Sequence, residues 1–190
     1  MNLPNLLTLS RIGFAAIIVY LLMLNTLAGN AWAAVFFVIA SITDFFDGYL
    51  AKKQGLVSDF GKIMDPIADK VLMLSIFTVL ANIGLIQWWM VALIAVREVA
   101  VTVDRLWAMT HGYVSAAEQL GKIKTVLQIL TVGVIFVYLI LEQVSKPHSW
   151  FLDHQNNCLE AIQVLMGATV VITIWSGISY WQGRNRKKSQ

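Results

Sequence analysis

Long stretches without a charged residue dominate this sequence. Between Arg11 and Asp44 lie 32 uncharged residues, and between Lys70 and Arg97 lie 26. About 20 mostly apolar residues in a helix cross the hydrocarbon core of a bilayer. Charged residues make up only 13% of the chain, against about 25% in a typical soluble domain. The sequence therefore predicts an all-α integral membrane protein that forms one domain over residues 1–190.

The uncharged runs divide into six predicted spans. The first long run is interrupted at Ala28-Gly29-Asn30, and the second contains Asn82, Gly84 and Gln87, so each run is interpreted as two spans joined by a turn. The last two uncharged runs provide one span each. The predicted spans lie near 11–27, 32–50, 66–82, 86–107, 122–141 and 161–182, after a short cytoplasmic segment at residues 1–10.

The basic residues favour six spans with both termini in the cytoplasm. Lys and Arg concentrate in the short cytoplasmic loops of membrane proteins. With six spans, 13 of the 14 basic residues fall on the cytoplasmic side, and only Lys146 falls outside. A single span at 71–96 would reverse the side of everything after it and remove this asymmetry. A cleaved signal peptide is the alternative at the N-terminus, but another apolar run follows it, not a polar mature domain.

The composition disfavours nucleic-acid binding and a fold stabilised by disulfides. The net charge of +3 does not indicate nucleic-acid binding, because the basic residues form no stripe interleaved with exposed aromatic residues. Cys158 is the only cysteine, which excludes an intramolecular disulfide framework.

Four aspartates are predicted at the cytoplasmic ends of the second and third spans. Asp44 and Asp47 are spaced i, i+3 and Asp65 and Asp69 i, i+4, so each pair lies on one helix face. Ionisable residues in membrane spans are costly and usually functional. If the two spans pack together, the four carboxylates repel one another unless cations compensate, and all-oxygen ligands suit Mg²⁺, Mn²⁺ or Ca²⁺. Two bound divalent ions would serve phosphoryl transfer.

Small residues and a proline accompany these aspartates. Gly48 and Ala51 continue the stripe of Asp44 and Asp47, and they would let a ligand approach the backbone closely. A structural alternative is that Asp65 caps a helix with Pro66 at its first position. That alternative leaves the first pair unexplained.

The segment from Asp44 to Asp69 resembles the signature of CDP-alcohol phosphatidyltransferases, D-x2-D-G-x2-A-R-x8-G-x3-D-x3-D. Seven fixed positions match, and Lys52 stands in place of the usual arginine. Outside the signature, the chain looks like the branch of phosphatidylglycerophosphate synthases, and the resemblance extends over about residues 2 to 125. The segments that carry this narrower likeness are Asn2 to Thr8, Ser58 to Lys62, Arg97-Glu98 and Gly121 to Thr125.

The resemblance implies a six-helix CDP-alcohol phosphotransferase fold in a bacterial inner or plasma membrane, a homodimer, and an active site that faces the cytoplasm. The implied activity transfers a phosphatidyl group from CDP-diacylglycerol to glycerol 3-phosphate and gives phosphatidylglycerophosphate and CMP. Asp69 would also take the proton of the acceptor hydroxyl. The implied ligands of two Mg²⁺ or Mn²⁺ ions are Asp44, Asp47, Asp65 and Asp69, and the implied CDP-diacylglycerol contacts are Asn5, Thr8, Gly48, Lys52 and Ser58.

Basic residues later in the chain are candidates for the acceptor phosphate. Arg97 and Arg105 lie on one helical stripe, and Lys122 and Lys124 begin the fifth span on the same predicted side. Alternatively, Arg97 pairs with Asp104, and the two lysines only anchor the helix.

Three other functions remain open from the sequence. One is the same chemistry with another alcohol, such as inositol phosphate or serine. The others are a divalent-cation transporter and a scaffold without turnover, for which Lys52 is the only supporting feature.

Overall fold

The computed structural model describes the backbone of residues 3–54, 59–110, 119–145 and 149–188. It describes the side chains of residues 10–43, 67–108, 120–144 and 153–183. Over these ranges the chain forms six α-helices and no β-strand, which confirms the all-α prediction. The helices are α1 (Leu3–Met23), α2 (Leu27–Gln54), α3 (Asp59–Asn82), α4 (Trp88–Thr110), α5 (Gln119–Ser145) and α6 (Ser149–Lys188).

The helices form a closed ring that does not follow chain order. In the described part of the chain, α1 packs against both α2 and α3, while α4 and α5 each pack against α6. Contacts of α3 with α4 and of α2 with α5 close the ring in the order α1, α2, α5, α6, α4, α3. Side chains that meet in its centre therefore come from helices far apart in sequence.

The first turn lies a few residues before its predicted position. Residues 24–26 connect α1 to α2, and Asn25 adopts a positive φ of 47°. Thr26 caps α2 because its Oγ1 accepts a hydrogen bond from the backbone N–H of Gly29 at 3.1 Å. The prediction of a turn at Ala28-Gly29-Asn30 is wrong, since these residues form the first turn of α2. Gly29 is needed for close packing there, not for a turn.

The second predicted turn is confirmed. Gly84 has a φ of 81° and follows α3, where the N–H of Leu85 donates to the carbonyl of Leu80 at 3.0 Å. The N–H of Gly84 donates to the carbonyl of Ala81 at 3.1 Å, which completes a Schellman motif. The 26-residue uncharged run therefore divides into two helices, as its polar centre predicts.

The helices extend beyond the predicted spans. α3 begins at Asp59, so Asp65 and Pro66 lie inside the helix, and the interpretation of Asp65 as a helix cap is wrong. α6 has 40 residues, which is more than a membrane crossing needs. Charged residues at a helix end mark the limit of its apolar part and not the limit of the helix itself.

The described side chains separate into a buried core and an apolar outer surface. Ile18, Phe77 and Met166 are fully buried, and the rings of Phe37 and Phe136 join α2 to α5 with centroids 5.6 Å apart. Large apolar side chains also face outward, including Val96 and Trp175. Within the described side chains, Leu120–Val144 and Asp153–Gly183 are long and apolar enough to cross a membrane, and two shorter apolar segments lie at Ser10–Met23 and Leu27–Thr43.

Gly29 allows α2 to approach α1, and we expect Gly29→Ala to destabilise the protein. A Cβ atom at this position would lie 2.7 Å from the carbonyl oxygen of Leu21, so the two helices must separate. Gly13→Ala in α1 is the control, because a Cβ atom there meets nothing within 4 Å and alanine favours helix. Thermal unfolding in detergent should show a lower midpoint for Gly29→Ala only. Equal midpoints for both variants would contradict this role of Gly29.

Candidate active site

A small cavity with charged side chains in an otherwise mostly apolar lining lies where five of the six helices meet. Its volume is about 70 Å³, and α1 to α5 all contribute lining residues. Four charged side chains line it: Arg11, Asp69, Lys70 and Glu98. The cavity is therefore large enough for a few atoms or water molecules and carries charges of both signs.

Asp69 lines this cavity and forms an ion pair with Arg11. Nη1 of Arg11 lies 2.9 Å from Oδ1 of Asp69. The arginine side chain is 6% exposed, whereas that of Asp69 is 39% exposed. A buried arginine holds one carboxylate oxygen while the carboxyl group stays accessible. The residue predicted to act as the base is thus fixed by α1 and open to a ligand.

A second charged cluster surrounds Glu98, whose side chain is buried. Nζ of Lys70 lies 2.9 Å from Oε2, and Nζ of Lys124 contacts Oε1. Gln128 donates to Oε1 at 3.3 Å, and Nη1 of Arg97 lies 3.6 Å from the same oxygen. We call Lys70, Arg97, Glu98 and Lys124 the Glu98 cluster. Three cations therefore face one carboxylate in it.

The two arginines of the predicted acceptor site both contact α6. Arg97 donates to Oγ of Ser176 at 2.7 Å. The guanidinium of Arg105 lies over the ring of Tyr180, 5.9 Å from its centroid, in a cation–π geometry. The stripe of α4 that carries these arginines is therefore supported by the last helix of the chain.

The two lysines of the predicted acceptor site differ in their surroundings. Lys124 is buried and belongs to the Glu98 cluster, whereas Lys122 is exposed. The alternative that both only anchor the helix does not fit Lys124, because its ammonium group makes a buried ion pair. Binding of the acceptor phosphate by either lysine stays a prediction.

Most predicted ligands of the metals and the nucleotide lie outside the described side chains. This holds for Asp44, Asp47 and Asp65 and for Asn5, Thr8, Gly48, Lys52 and Ser58. The backbone does place the first aspartate pair in α2 and the second in α3, with the helical spacing that puts each pair on one face. Asp69 has the chemistry that such a site needs, since it is an accessible carboxylate that lines the cavity. The metal-ligand assignment stays a prediction.

Three site residues were not selected from the sequence. Arg11 and Lys70 counted only as basic residues of the cytoplasmic side, and Glu98 was noted only as part of an Arg-Glu pair. The signal that identifies Arg11 is its position inside α1, where a charged side chain is costly unless it is paired.

Comparison with known proteins confirms the family. Residues 1–175 match the sequence profile of the CDP-alcohol phosphatidyltransferases. The match continues past residue 125, where the recognised motifs end. This protein belongs to the CDP-alcohol phosphatidyltransferase family.

The names of individual relatives are more specific than the family description, because they specify one reaction. The chain is 41% identical over 163 residues to the CDP-diacylglycerol–glycerol-3-phosphate 3-phosphatidyltransferase of Bacillus subtilis, covering 77% of this chain and 82% of that protein. It is 36% identical over 186 residues to a probable phosphatidylglycerophosphate synthase of Mycobacterium tuberculosis, covering 94% and 79%. The Shigella flexneri glycerol-3-phosphate 3-phosphatidyltransferase is 31% identical over 185 residues, covering 94% and 92%.

Removing the charge of Glu98 should destabilise the protein strongly. Glu98→Gln keeps the shape but leaves the cations of the cluster, including the buried Lys124, without their carboxylate, and we expect the free energy of unfolding to fall by about 3 kcal/mol. Chemical denaturation in detergent micelles measures this change. Glu160→Gln, at an exposed site in α6, is the control.

A compensating variant tests the electrostatic origin of that loss. Glu98→Gln combined with Lys124→Met removes one cation together with the carboxylate and should recover part of the stability. A stable Glu98→Gln single variant would show that the cluster does not depend on this carboxylate.

Proposed function

We propose that this protein transfers a phosphatidyl group from CDP-diacylglycerol to glycerol 3-phosphate and releases CMP, giving phosphatidylglycerophosphate for phospholipid synthesis. The observation that carries the proposal is the position of Asp69. Its accessible carboxylate lines a cavity beside the Glu98 cluster, in which Glu98 and Lys124 are buried and Lys70 and Arg97 are partly buried. The printed names of the relatives supply the donor and the acceptor.

Asp69 acts as the base in the proposed reaction. Its carboxylate accepts the proton of an acceptor hydroxyl, and the oxygen then attacks the phosphorus on the lipid side of the donor diphosphate. The bond from that phosphorus to the bridging oxygen breaks, and CMP leaves with the electron pair. Arg11 holds Oδ1 of Asp69 at 2.9 Å, which fixes the direction of the carboxylate for proton transfer.

Two divalent cations, Mg²⁺ or Mn²⁺, are proposed at the four aspartates. Ser41 of α2 lines the cavity together with Asp69, and Asp44 follows Ser41 by three residues on the same helix. About one helical turn therefore separates Asp44 from the cavity wall. When bound, such ions neutralise the diphosphate oxygens of the donor.

The Glu98 cluster favours a phosphorylated acceptor. Its three cations exceed its single carboxylate, so a phosphate group would bring the local charge closer to balance. Serine lacks such a group and is disfavoured as the acceptor. Inositol phosphate carries one and remains the second candidate for this chemistry.

The donor requires a site at the membrane surface, because its acyl chains stay in the bilayer while its nucleotide meets water. We propose that all six helices cross the membrane and that the cavity opens to the bacterial cytoplasm. Exposed apolar side chains on every helix support the spans, including Tyr20, Val38, Val71, Val103, Val137 and Val171. A homodimer, as the family resemblance implies, is part of this proposal.

The acceptor is tested by CMP release from purified protein with CDP-diacylglycerol in mixed micelles. Glycerol 3-phosphate, inositol phosphate, serine and glycerol are compared at equal concentration. We expect release with glycerol 3-phosphate to exceed that with unphosphorylated glycerol by at least about 100-fold. With glycerol as the acceptor, the cations of the Glu98 cluster face no phosphate. Equal release with all four acceptors, or none with glycerol 3-phosphate, would refute the proposed function.

The base is tested with Asp69→Asn. The amide keeps the size of the side chain and can accept the hydrogen bond of Arg11, but it cannot take a proton. We expect CMP release to fall by about 1,000-fold or more, within the usual range for loss of a general base. Folding and Mg²⁺-dependent binding of CDP-diacylglycerol should be largely kept. Asp153→Asn, at an exposed site in α6, should turn over normally. Wild-type turnover of Asp69→Asn would rule out this base.

A further inference from the structure

The last helix carries two neighbouring residues that fit the side chain of Arg97. Ser176 accepts a hydrogen bond from Nη2 of Arg97 at 2.7 Å. A Cβ atom on Gly177 would lie 3.1 Å from Cγ and 3.3 Å from Nε of the same arginine. We call Ser176 and Gly177 the α6 notch. One of its residues binds the guanidinium, and the other leaves room for the stem.

The hydroxyl of Ser176 has a fixed orientation. It donates to the carbonyl oxygen of Thr173 at 2.9 Å, one turn earlier in α6. With its only proton used, the hydroxyl offers lone pairs to Arg97. The residue is 1% exposed, so water does not compete for this bond. The hydrogen bonds from Arg97 to Ser176 and from Ser176 to the backbone therefore point in one direction.

The guanidinium is held on two sides. Nη2 contacts the α6 notch, and Nη1 lies 3.6 Å from Oε1 of Glu98. The arginine side chain is 12% exposed. A freely rotating arginine side chain loses conformational entropy when a ligand fixes it, and contacts made beforehand remove that cost from binding. The arrangement is that of a pre-positioned anion-binding group.

We propose that Ser176 and Gly177 are positioning residues that hold the guanidinium of Arg97 ready for the phosphate of the acceptor. The inference rests on the proposed function, in which Arg97 binds that phosphate. Arg105 contacts the Tyr180 ring one turn further along α6, so both arginines of the stripe contact the same helix. This second contact supports a positioning role for α6. The family match ends at residue 175, before the notch begins.

The test measures KM for glycerol 3-phosphate, KM for CDP-diacylglycerol, kcat and the unfolding midpoint in full-length variants. Ser176→Ala should raise KM for glycerol 3-phosphate about 10- to 100-fold, the usual effect of losing a hydrogen bond to a charged group. Gly177→Ala should raise it about threefold, because the arginine must shift by a few tenths of an ångström. KM for CDP-diacylglycerol should stay within about twofold.

Matched variants on α6 separate positioning from packing. Thr169→Val removes a buried hydroxyl that contacts Thr131 at 2.8 Å and does not touch Arg97. Gly167→Ala adds a Cβ atom that meets nothing within 4 Å. Both should leave KM for glycerol 3-phosphate unchanged. Ser176→Thr keeps the hydroxyl and should retain most of the acceptor affinity. If the notch variants lower only the unfolding midpoint, as a packing contact would, the proposal is overturned.

A double-mutant cycle shows whether Ser176 acts through Arg97. Arg97→Ala should raise KM for glycerol 3-phosphate, and adding Ser176→Ala to it should have no further effect. Full additivity, or an unchanged KM in Arg97→Ala, would overturn the positioning role. Failure of the proposed function is distinct from both outcomes, since it would appear as no CMP release from the wild-type protein with glycerol 3-phosphate.

Discussion

The carboxylate of Glu98 lies where α3, α4 and α5 approach one another, and one basic side chain from each of these helices faces it. Lys124 is buried beside Glu98, and a buried cation in a low-dielectric interior is not tolerated without a partner. The carboxylate therefore fixes the spacing of three helices at once. It also leaves an excess of positive charge beside Asp69, because three cations share one anion. Helix packing and the proposed binding of the acceptor phosphate would thus have the same electrostatic origin.

Much of the fold was predictable because charge is expensive in a membrane. Gaps between charged residues gave six helices, and the polar centre of the run from Lys70 to Arg97 located a real turn at Gly84. The same reasoning misplaced the first turn, since Gly29 was interpreted as a turn former when it serves close packing between α1 and α2. In a sequence, a glycine that forms a turn looks the same as a glycine that allows close helix packing. The position of the Leu21 carbonyl oxygen beside Gly29 shows that packing is its role here.

The site was predictable in part and for a different reason. The spacing of the aspartates and their signature selected Asp69, and the structure places this residue in the lining of the cavity, while its role as the base stays a prediction. Arg11 and Lys70 were counted as markers of the cytoplasmic side, and such a count cannot distinguish a charge at the surface from one paired in the interior. The support of Arg97 by α6 was not predictable at all, since Ser176 and Gly177 are ordinary residues in an apolar helix. Their role depends on the packing of α6 against α4, and the sequence alone does not reveal which helices pack together.

The order of the helices around the ring has a consequence for synthesis. α1 and α3 are made early, so the contact between Arg11 and Asp69 can form while the rest of the chain is still on the ribosome. α4, in contrast, has α6 as a neighbour, and its arginines remain without that support until the last helix has been made and has packed. The contact between Arg11 and Asp69 can thus form before α6 supports Arg97 and Arg105. In a nascent chain, the support of these two arginines is complete only when synthesis is nearly finished.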